Sequence, residues 1–266
     1  MSIPNPNPSP NRTRNRETPV RIVSLYPTLL GTYGDGGNVA ALAHIAALHG
    51  LTVDITTIDP GMLIPDDADI YCLGGGEDTA QVAAANALRA SGALTRAVAN
   101  GASVLAVCAG YQLLGHEFPD ANGNASPGLG LLDVYTDRLS QRAVGELAAE
   151  PNNREPNDRD LNAAGIETLT QTLTGYENHG GATHRGVGVT PLALVSSGVG
   201  NGDGTEGAIA GRVIGTYLHG PCLVRNPLLA ETLLGWAIGE ELVPIVENAV
   251  EELRRERLGM ASVLPR

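Results

Sequence analysis

Val104-Leu105-Ala106-Val107-Cys108-Ala109-Gly110-Tyr111-Gln112-Leu113-Leu114-Gly115 organises the whole chain. Four apolar residues lead into a cysteine, two small residues follow, and a helix-like apolar pattern begins. This is the pattern of a strand that delivers a nucleophile onto a sharp turn at a helix N-terminus. The turn presents the sulfur, and the helix's unpaired N–H groups and positive dipole end favour thiolate over thiol. Serine elbows use small flanking residues for the same steric reason. A cysteine in apolar surroundings is more often an inert core residue; the strand before Cys108 and the small residues after it favour the nucleophile.

Outward from this elbow, strands and helices alternate. Val20 to Leu25 reads as a first strand, followed by the glycine-rich connection Tyr26-Pro27-Thr28-Leu29-Leu30-Gly31-Thr32-Tyr33-Gly34-Asp35-Gly36-Gly37-Asn38. Val39 to His49 has helical composition with Gly50 at its end. Leu51 to Ile58 alternates as a strand. Ala68 to Leu73 is a short apolar run that stops at Gly74-Gly75-Gly76-Glu77-Asp78, and Thr79 to Ala99 is an alanine-rich helical stretch with a break near Gly92. Beyond the elbow, Ile166 to Leu173, Leu192 to Val199 and Ala208 to Tyr217 read as strands. Gly175 to Gly181 reads as a turn, and Asn226 to Gly239 and Leu242 to Leu258 read as helices. The expected fold is α/β: a three-layer sandwich with a mainly parallel central sheet flanked by helices. Ligands in such sheets sit at the carboxyl ends of the strands, where both Gly74–Gly76 and Cys108 fall.

Composition bounds the function. The 266 residues carry a net charge of −12, and all 17 basic residues are arginine. With no dense basic patch, the chain is expected to bind no nucleic acid and no anionic membrane. Three widely spaced cysteines, Cys72, Cys108 and Cys222, fit a reducing, cytoplasmic setting and neither a disulfide framework nor a zinc site. Residues 1–19 read as a disordered leader without a signal-peptide core. Residues 20–245 read as one catalytic domain carrying a polar insertion loop at about 148–164, and residues 246–266 as a C-terminal helix and tail. No run is suited to span a membrane, and no metal site is expected.

A nucleophilic thiolate wants an imidazole partner. His44 and His49 sit on an amphipathic helix and look like surface residues. His116 has no evident route back to the elbow, and His184 lies in a polar turn. His219, at the end of Gly211-Arg212-Val213-Ile214-Gly215-Thr216-Tyr217-Leu218, is the strand-end candidate. Thiolate attack on a carbonyl creates an oxyanion that needs pre-aimed donors. The backbone N–H of Ala109, with those of Gly75 and Gly76, can supply them, since glycine lets the backbone approach closely.

The Cys-x-Gly-x-Gln spacing from Cys108 to Gln112 resembles the elbow of class I glutamine amidotransferases. Tyr217-Leu218-His219-Gly220-Pro221, with Asn226-Pro227, and Gly175-Tyr176-Glu177-Asn178-His179-Gly180-Gly181 are similar to the cobyric acid synthase-like branch. Tyr26-Pro27 through Gly34-Asp35-Gly36-Gly37-Asn38 narrows the likeness to GatD-type glutaminase subunits of lipid II isoglutaminyl synthase, over roughly Val20 to Gly239. The resemblance implies that Cys108 attacks the side-chain amide of L-glutamine to form a thioester. His219 would activate the thiol and protonate departing ammonia. Arg142, with Gln112, Tyr111 and His179, would hold the substrate, and Arg138 is the fallback for the arginine. A guanidinium suits the free α-carboxylate. The resemblance also implies a Mur-ligase-like partner of the MurT type, to which ammonia passes for amidation of the D-glutamate α-carboxyl of lipid II.

Many class I enzymes carry a glutamate two residues after the histidine; here that place is Pro221. The third, orienting group is therefore absent or supplied elsewhere, and Glu177 or His179 is a candidate to line the site. The chain contains no Walker-type loop and no lysine to serve one, so ATP and Mg are expected on the partner and no cofactor on this chain. Two other readings stand beside this one: a glutaminase feeding a corrin-type amidation, and a non-catalytic scaffold of a ligase.

Overall fold

β-Branched and apolar residues place β1 (Val20–Leu25) in the middle of a sheet. In the computed structural model, which describes residues 16–152 and 169–261, β1 pairs in parallel with β2 (Val53–Ile58) on one side and β3 (Ile70–Leu73) on the other. The connection between β1 and β2 carries α1 (Gly37–Leu48). After β3 come α2 (Asp78–Ser91) and α3 (Ala93–Ala99), separated by Gly92 in the left-handed conformation at φ +62°, which is the break expected there. β4 (Ser103–Val107) then pairs with β3, and α4 (Ala109–Leu114) follows it.

The chain next builds a second sheet from β5 (Glu117–Pro119), β6 (Ala125–Pro127), β7 (Val134–Pro151), β8 (Leu173–Arg185), β9 (Ala193–Ser197) and β10 (Thr205–Glu206), in the order β10-β9-β7-β5-β6 with β8 also on β7. It returns to the first sheet through β11 (Ala208–Ala210) and β12 (Val213–Thr216), then closes with α5 (Cys222–Arg225), α6 (Pro227–Ile238) and α7 (Asn248–Ala261). The first sheet runs β11-β12-β4-β3-β1-β2, all parallel except the β11–β12 hairpin. Helix α6 lies on β1, β3 and β4 and packs against α1, while α4 lies on β4 and β12 and meets α2. This is the α/β sandwich with a mainly parallel sheet that the strand–helix alternation implied.

Several local expectations are corrected. Gly175–Gly181 is not a turn but the middle of β8, in a long antiparallel ladder with β7. Two of its three glycines serve close approach: a Cβ on Gly175 would lie 2.7 Å from the Leu218 side chain, and one on Gly181 would lie 2.3 Å from the Gln112 amide. His184 belongs to the same strand and not to a turn. Ala208–Tyr217 is not one strand but the β11–β12 hairpin, turning at Gly211 with φ +55°. The final helix begins at Asn248, not Leu242; Pro244 disfavours the helical region for Val243 before it. His49 is not a surface residue; its side chain is buried against Glu231, 3.2 Å away.

Residues 1–15 of the leader and most of the polar stretch from Glu150 to Ala164 lie outside the described residues, as do residues 166–168; residues 169–172 are not strand. Among the described residues no helix is long and apolar enough to cross a membrane, and no group of three or more His, Cys, Asp or Glu is placed to hold a metal ion.

Candidate active site

Register brings the site together. In the parallel ladders Leu73 of β3 is level with Ala106 of β4, and Thr216 of β12 is level with Val107. Gly74–Gly76, Cys108 and Tyr217–His219 therefore leave the same edge of the sheet side by side. Cys108 takes φ +53°, ψ −108°, a conformation that few non-glycine residues adopt outside functional turns. Its N–H donates to the Thr216 carbonyl at 2.8 Å, and the Gly110 N–H donates to the Gly74 carbonyl at 3.1 Å. Gly110 is required here: a Cβ would lie 2.9 Å from that same carbonyl oxygen. Cys108 is 6% exposed and its sulfur lies 4.0 Å from the Asn178 carbonyl.

His219 is fixed by its backbone and by its ring. Its N–H and C=O exchange hydrogen bonds with Tyr176 of β8 at 2.9 and 3.0 Å. Its Nδ1–H donates to Asp35, whose two carboxylate oxygens both stand 3.1 Å away. The opposite nitrogen, Nε2, is buried and makes no ordinary hydrogen bond among the described residues. Burial disfavours the charged ring. Hydrogen bonding and charge from Asp35 and from Cys108, which lies within interaction range, outweigh it and hold the His219 pKa up at about 10. A buried imidazole oriented through Nδ1 by a carboxylate, with a thiol beside it, is the arrangement of a nucleophile, a base and an orienting group.

Asp35 is the residue that sequence reasoning missed. It lies in Gly34-Asp35-Gly36-Gly37-Asn38, whose likeness to a family motif is visible while its task is not. The loop that carries it is shaped at Tyr26, buried at φ +53°, whose carbonyl accepts the N–H groups of Leu29 and Leu30. Pro221, which occupies the place of the usual glutamate, packs on Gly37, where an added Cβ would lie 2.2 Å from the proline ring. The carboxylate reaches His219 from the β1–α1 loop instead.

The other candidates separate clearly. Arg142 on β7 reaches the site: its Nε donates to the Asn178 side chain at 2.8 Å, and its Nη2 donates to the Asn178 carbonyl and the Tyr33 hydroxyl, each at 3.3 Å. Arg138 turns away and donates to the carbonyls of Asp120 and Ala121.

Tyr111 is corrected from a substrate contact to a core side chain. It is fully buried against Gly215 and Tyr217, and its hydroxyl donates to Asn201. Gln112 has both ends of its amide engaged, by Gln81 at 2.9 Å and Tyr217 at 3.2 Å, and so supports the elbow from behind. His179 is stacked on Tyr217 with centroids 3.7 Å apart, bonded to the Gly181 carbonyl and paired with Glu177, so it too is spoken for by the protein. Glu177 does not line the site either; its carboxylate accepts the N–H groups of Val199 and Gly200. Of the expected oxyanion donors, Gly75 is corrected, because its N–H donates to Asp35 Oδ2 at 2.7 Å. The first N–H of α4, on Ala109, has no intrahelical acceptor, and the Gly76 N–H takes part in none of the backbone hydrogen bonds of the described loops.

Comparison with known proteins agrees with this picture. The CobB/CobQ-like glutamine amidotransferase domain matches residues 21–227. The chain is 32% identical over 226 residues to the "Lipid II isoglutaminyl synthase (glutamine-hydrolyzing) subunit GatD" of Staphylococcus aureus (strain N315), covering 84% of this chain and 86% of that one. It is 35% identical to the subunit of the same name from Streptococcus pneumoniae (strain ATCC BAA-255 / R6), covering 82% and 80%. Among solved structures, the glutaminase domain of Trypanosoma brucei CTPS with bound acivicin shares the fold at TM-score 0.53 and 15% identity, covering 84% of this chain and 96% of that one. The chain is thus an enzyme of the CobB/CobQ-like glutamine amidotransferase family.

Proposed function

We propose that the chain is the glutaminase subunit of a two-subunit amide ligase. In this reading it hydrolyses L-glutamine and delivers ammonia to a Mur-ligase-like partner of the MurT type, which amidates the D-glutamate α-carboxyl of lipid II during peptidoglycan synthesis. Likeness to two GatD subunits over most of both chains supports the substrate assignment. The single observation that carries the chemistry is His219, buried between Asp35 and Cys108 at the carboxyl edge of the sheet.

The steps of this reading are supported by that placement. The thiol proton moves to His219, and the sulfur attacks the side-chain amide carbon of glutamine. The oxyanion formed is held by the Ala109 N–H together with that of Gly76, since the Gly75 N–H is engaged by Asp35. As the carbon–nitrogen bond breaks, His219 returns the proton to nitrogen and ammonia leaves. Water then attacks the thioester, the carbon–sulfur bond breaks, and glutamate departs from a regenerated thiol. Arg142 binds the α-carboxylate. ATP and Mg belong to the partner, consistent with a chain that contains no lysine for a phosphate-binding loop.

The test is glutamate release by the purified chain with its copurified partner. Cys108→Ala and His219→Ala are each expected to lower it by several orders of magnitude. Near-normal release by Cys108→Ala would remove the mechanism and leave a scaffold role. Copurification with a ligase acting on a corrin-type carboxylate, and not with a Mur-type ligase, would move the ammonia to a different acceptor while leaving the glutaminase chemistry in place.

A further inference from the structure

A chain of three polar groups links the β1–α1 loop, the start of α2 and β7 beside the Cys108–His219 pair. The Tyr33 hydroxyl accepts from Arg142 Nη2 at 3.3 Å and donates to Glu77 Oε1 at 3.2 Å. The Tyr33 ring lies against the His219 ring, centroids 4.9 Å apart, and a Cβ on Gly75 would touch both. Glu77 occupies the N-cap position of α2, and its side chain makes no cap hydrogen bond. Glutamate is not among the short polar residues that cap a helix N-terminus through their side chains, so its carboxylate is left to other partners. Here it is turned toward the tyrosine. Both Glu77 and Arg142 are exposed, whereas Cys108 is buried.

We propose that Glu77 reads the α-ammonium of glutamine, opposite Arg142 on the α-carboxylate, and that the Tyr33 hydroxyl holds the place of the substrate's head group between them. This rests on the glutaminase reading above and adds a specificity-determining residue to it. A cation on one side and an anion on the other, one hydroxyl apart, match the two charges that an α-amino acid carries on a single carbon. Glutamine entering between them replaces the hydroxyl's two contacts, each ionised on one side only, with two pairs ionised on both sides. Tyr33 then swings from the rim, and the buried sulfur becomes reachable by the side-chain amide. Arg142 keeps its bond to the Asn178 side chain throughout, so its guanidinium is already oriented for the carboxylate.

The experiment compares glutamine with glutaramate, the same γ-amide without the α-amino group, on the full-length chain with its copurified partner. In Glu77→Gln the kcat/KM for glutamine is expected to fall about tenfold through KM, with glutaramate turnover unchanged, so that the preference for glutamine narrows. Tyr33→Phe, which keeps the ring on His219, is expected to leave the glutamine KM no higher than in the wild type. Equal losses on both substrates in Glu77→Gln, or no loss on either, would overturn the assignment. So would a rise in KM in Tyr33→Phe as large as that of Glu77→Gln, since the hydroxyl would then be the reader. Failure of the underlying function looks different: the wild-type chain would release no glutamate, and Cys108→Ser would bind no glutamine by calorimetry.

Discussion

Asp35 and His219 are separated by 184 positions in the chain, and both carboxylate oxygens of Asp35 stand 3.1 Å from Nδ1 of His219 with both side chains buried. The same carboxylate also accepts the Gly75 N–H at 2.7 Å. One side chain thus ties His219 to the glycine turn beside Cys108. Asp35→Asn preserves the shape and removes the charge. It is expected to lower kcat by about 10²–10⁴-fold with a smaller change in KM, by analogy with the orienting carboxylate of serine triads. The group that keeps His219 basic is lost with it, so the basic limb of the pH–rate profile should move to lower pH. A profile of unchanged shape would reduce Asp35 to a packing residue.

Stability should depend on pH through two buried groups of opposite chemistry. His219 is raised from 6.5 to about 10; its contribution is fully present below pH 6.5 and is lost as pH climbs toward 10. Glu206 is pushed up by burial from 4.5 to about 7, against the opposing hydrogen bonds of Thr216 and Tyr217. An acid raised in this way binds its proton more tightly when folded, so its contribution is present below pH 4.5 and lost by about pH 7. Thermal midpoints measured from pH 4.5 to 8 should decline, and Glu206→Gln should flatten the lower part of that decline, worth on the order of 3 kcal/mol.

Arg142→Ala is expected to raise the glutamine KM, costing ~1.5–3 kcal/mol in kcat/KM if the guanidinium meets a carboxylate directly. Arg138→Ala, whose guanidinium is held by two carbonyls elsewhere, should leave KM unchanged. Steady-state kinetics on the two variants side by side checks this, and equal effects would undo the assignment.

Glycines of the turn after β3 differ from those of the Asp35 loop. A Cβ on Gly74 would sit 2.1 Å from the Leu30 carbonyl oxygen, and one on Gly36 meets nothing within 4 Å. Gly74→Ala should therefore destabilise the fold by about 1–3 kcal/mol or more and lose activity. Gly36→Ala should be nearly neutral in a denaturant titration.

The turn after His219 is anchored by a buried ion pair. Arg225 Nη1 lies 2.5 Å from Glu146 Oε2, with Arg257 3.7 Å from the other oxygen. Truncation of the carboxylate in Glu146→Ala leaves a guanidinium buried without a counter-charge, at an expected cost of about 3–5 kcal/mol, readable as a lowered unfolding midpoint.

What was legible in the chain was local. The apolar run into Cys108, the left-handed break at Gly92 and the alternation of strand and helix are properties of neighbouring residues, and they sufficed for the α/β class and for the elbow. What could not be read depends on which distant segments become neighbours. The second sheet is the plainest case: β7 contains Asp137-Arg138 and Ser140-Gln141-Arg142, too polar to look like a strand, because much of this stretch is exposed. Gly175–Gly181 carries every local mark of a turn, and becomes a strand only because Leu218, Gln112 and Tyr217 need its backbone close.

The site divides along the same line. By itself the sequence determined a cysteine on a strand–helix elbow, a histidine at a strand end and an arginine suited to a carboxylate, since residue type and immediate context set those chemical capacities. The tertiary structure alone decided that Asp35 orients His219 in place of the missing glutamate, that Tyr111, Gln112 and His179 are consumed by the core, and that Gly75 is engaged. The physical reason is register: parallel strands align the chain ends that carry these groups, and that alignment belongs to pairs of segments far apart in the chain.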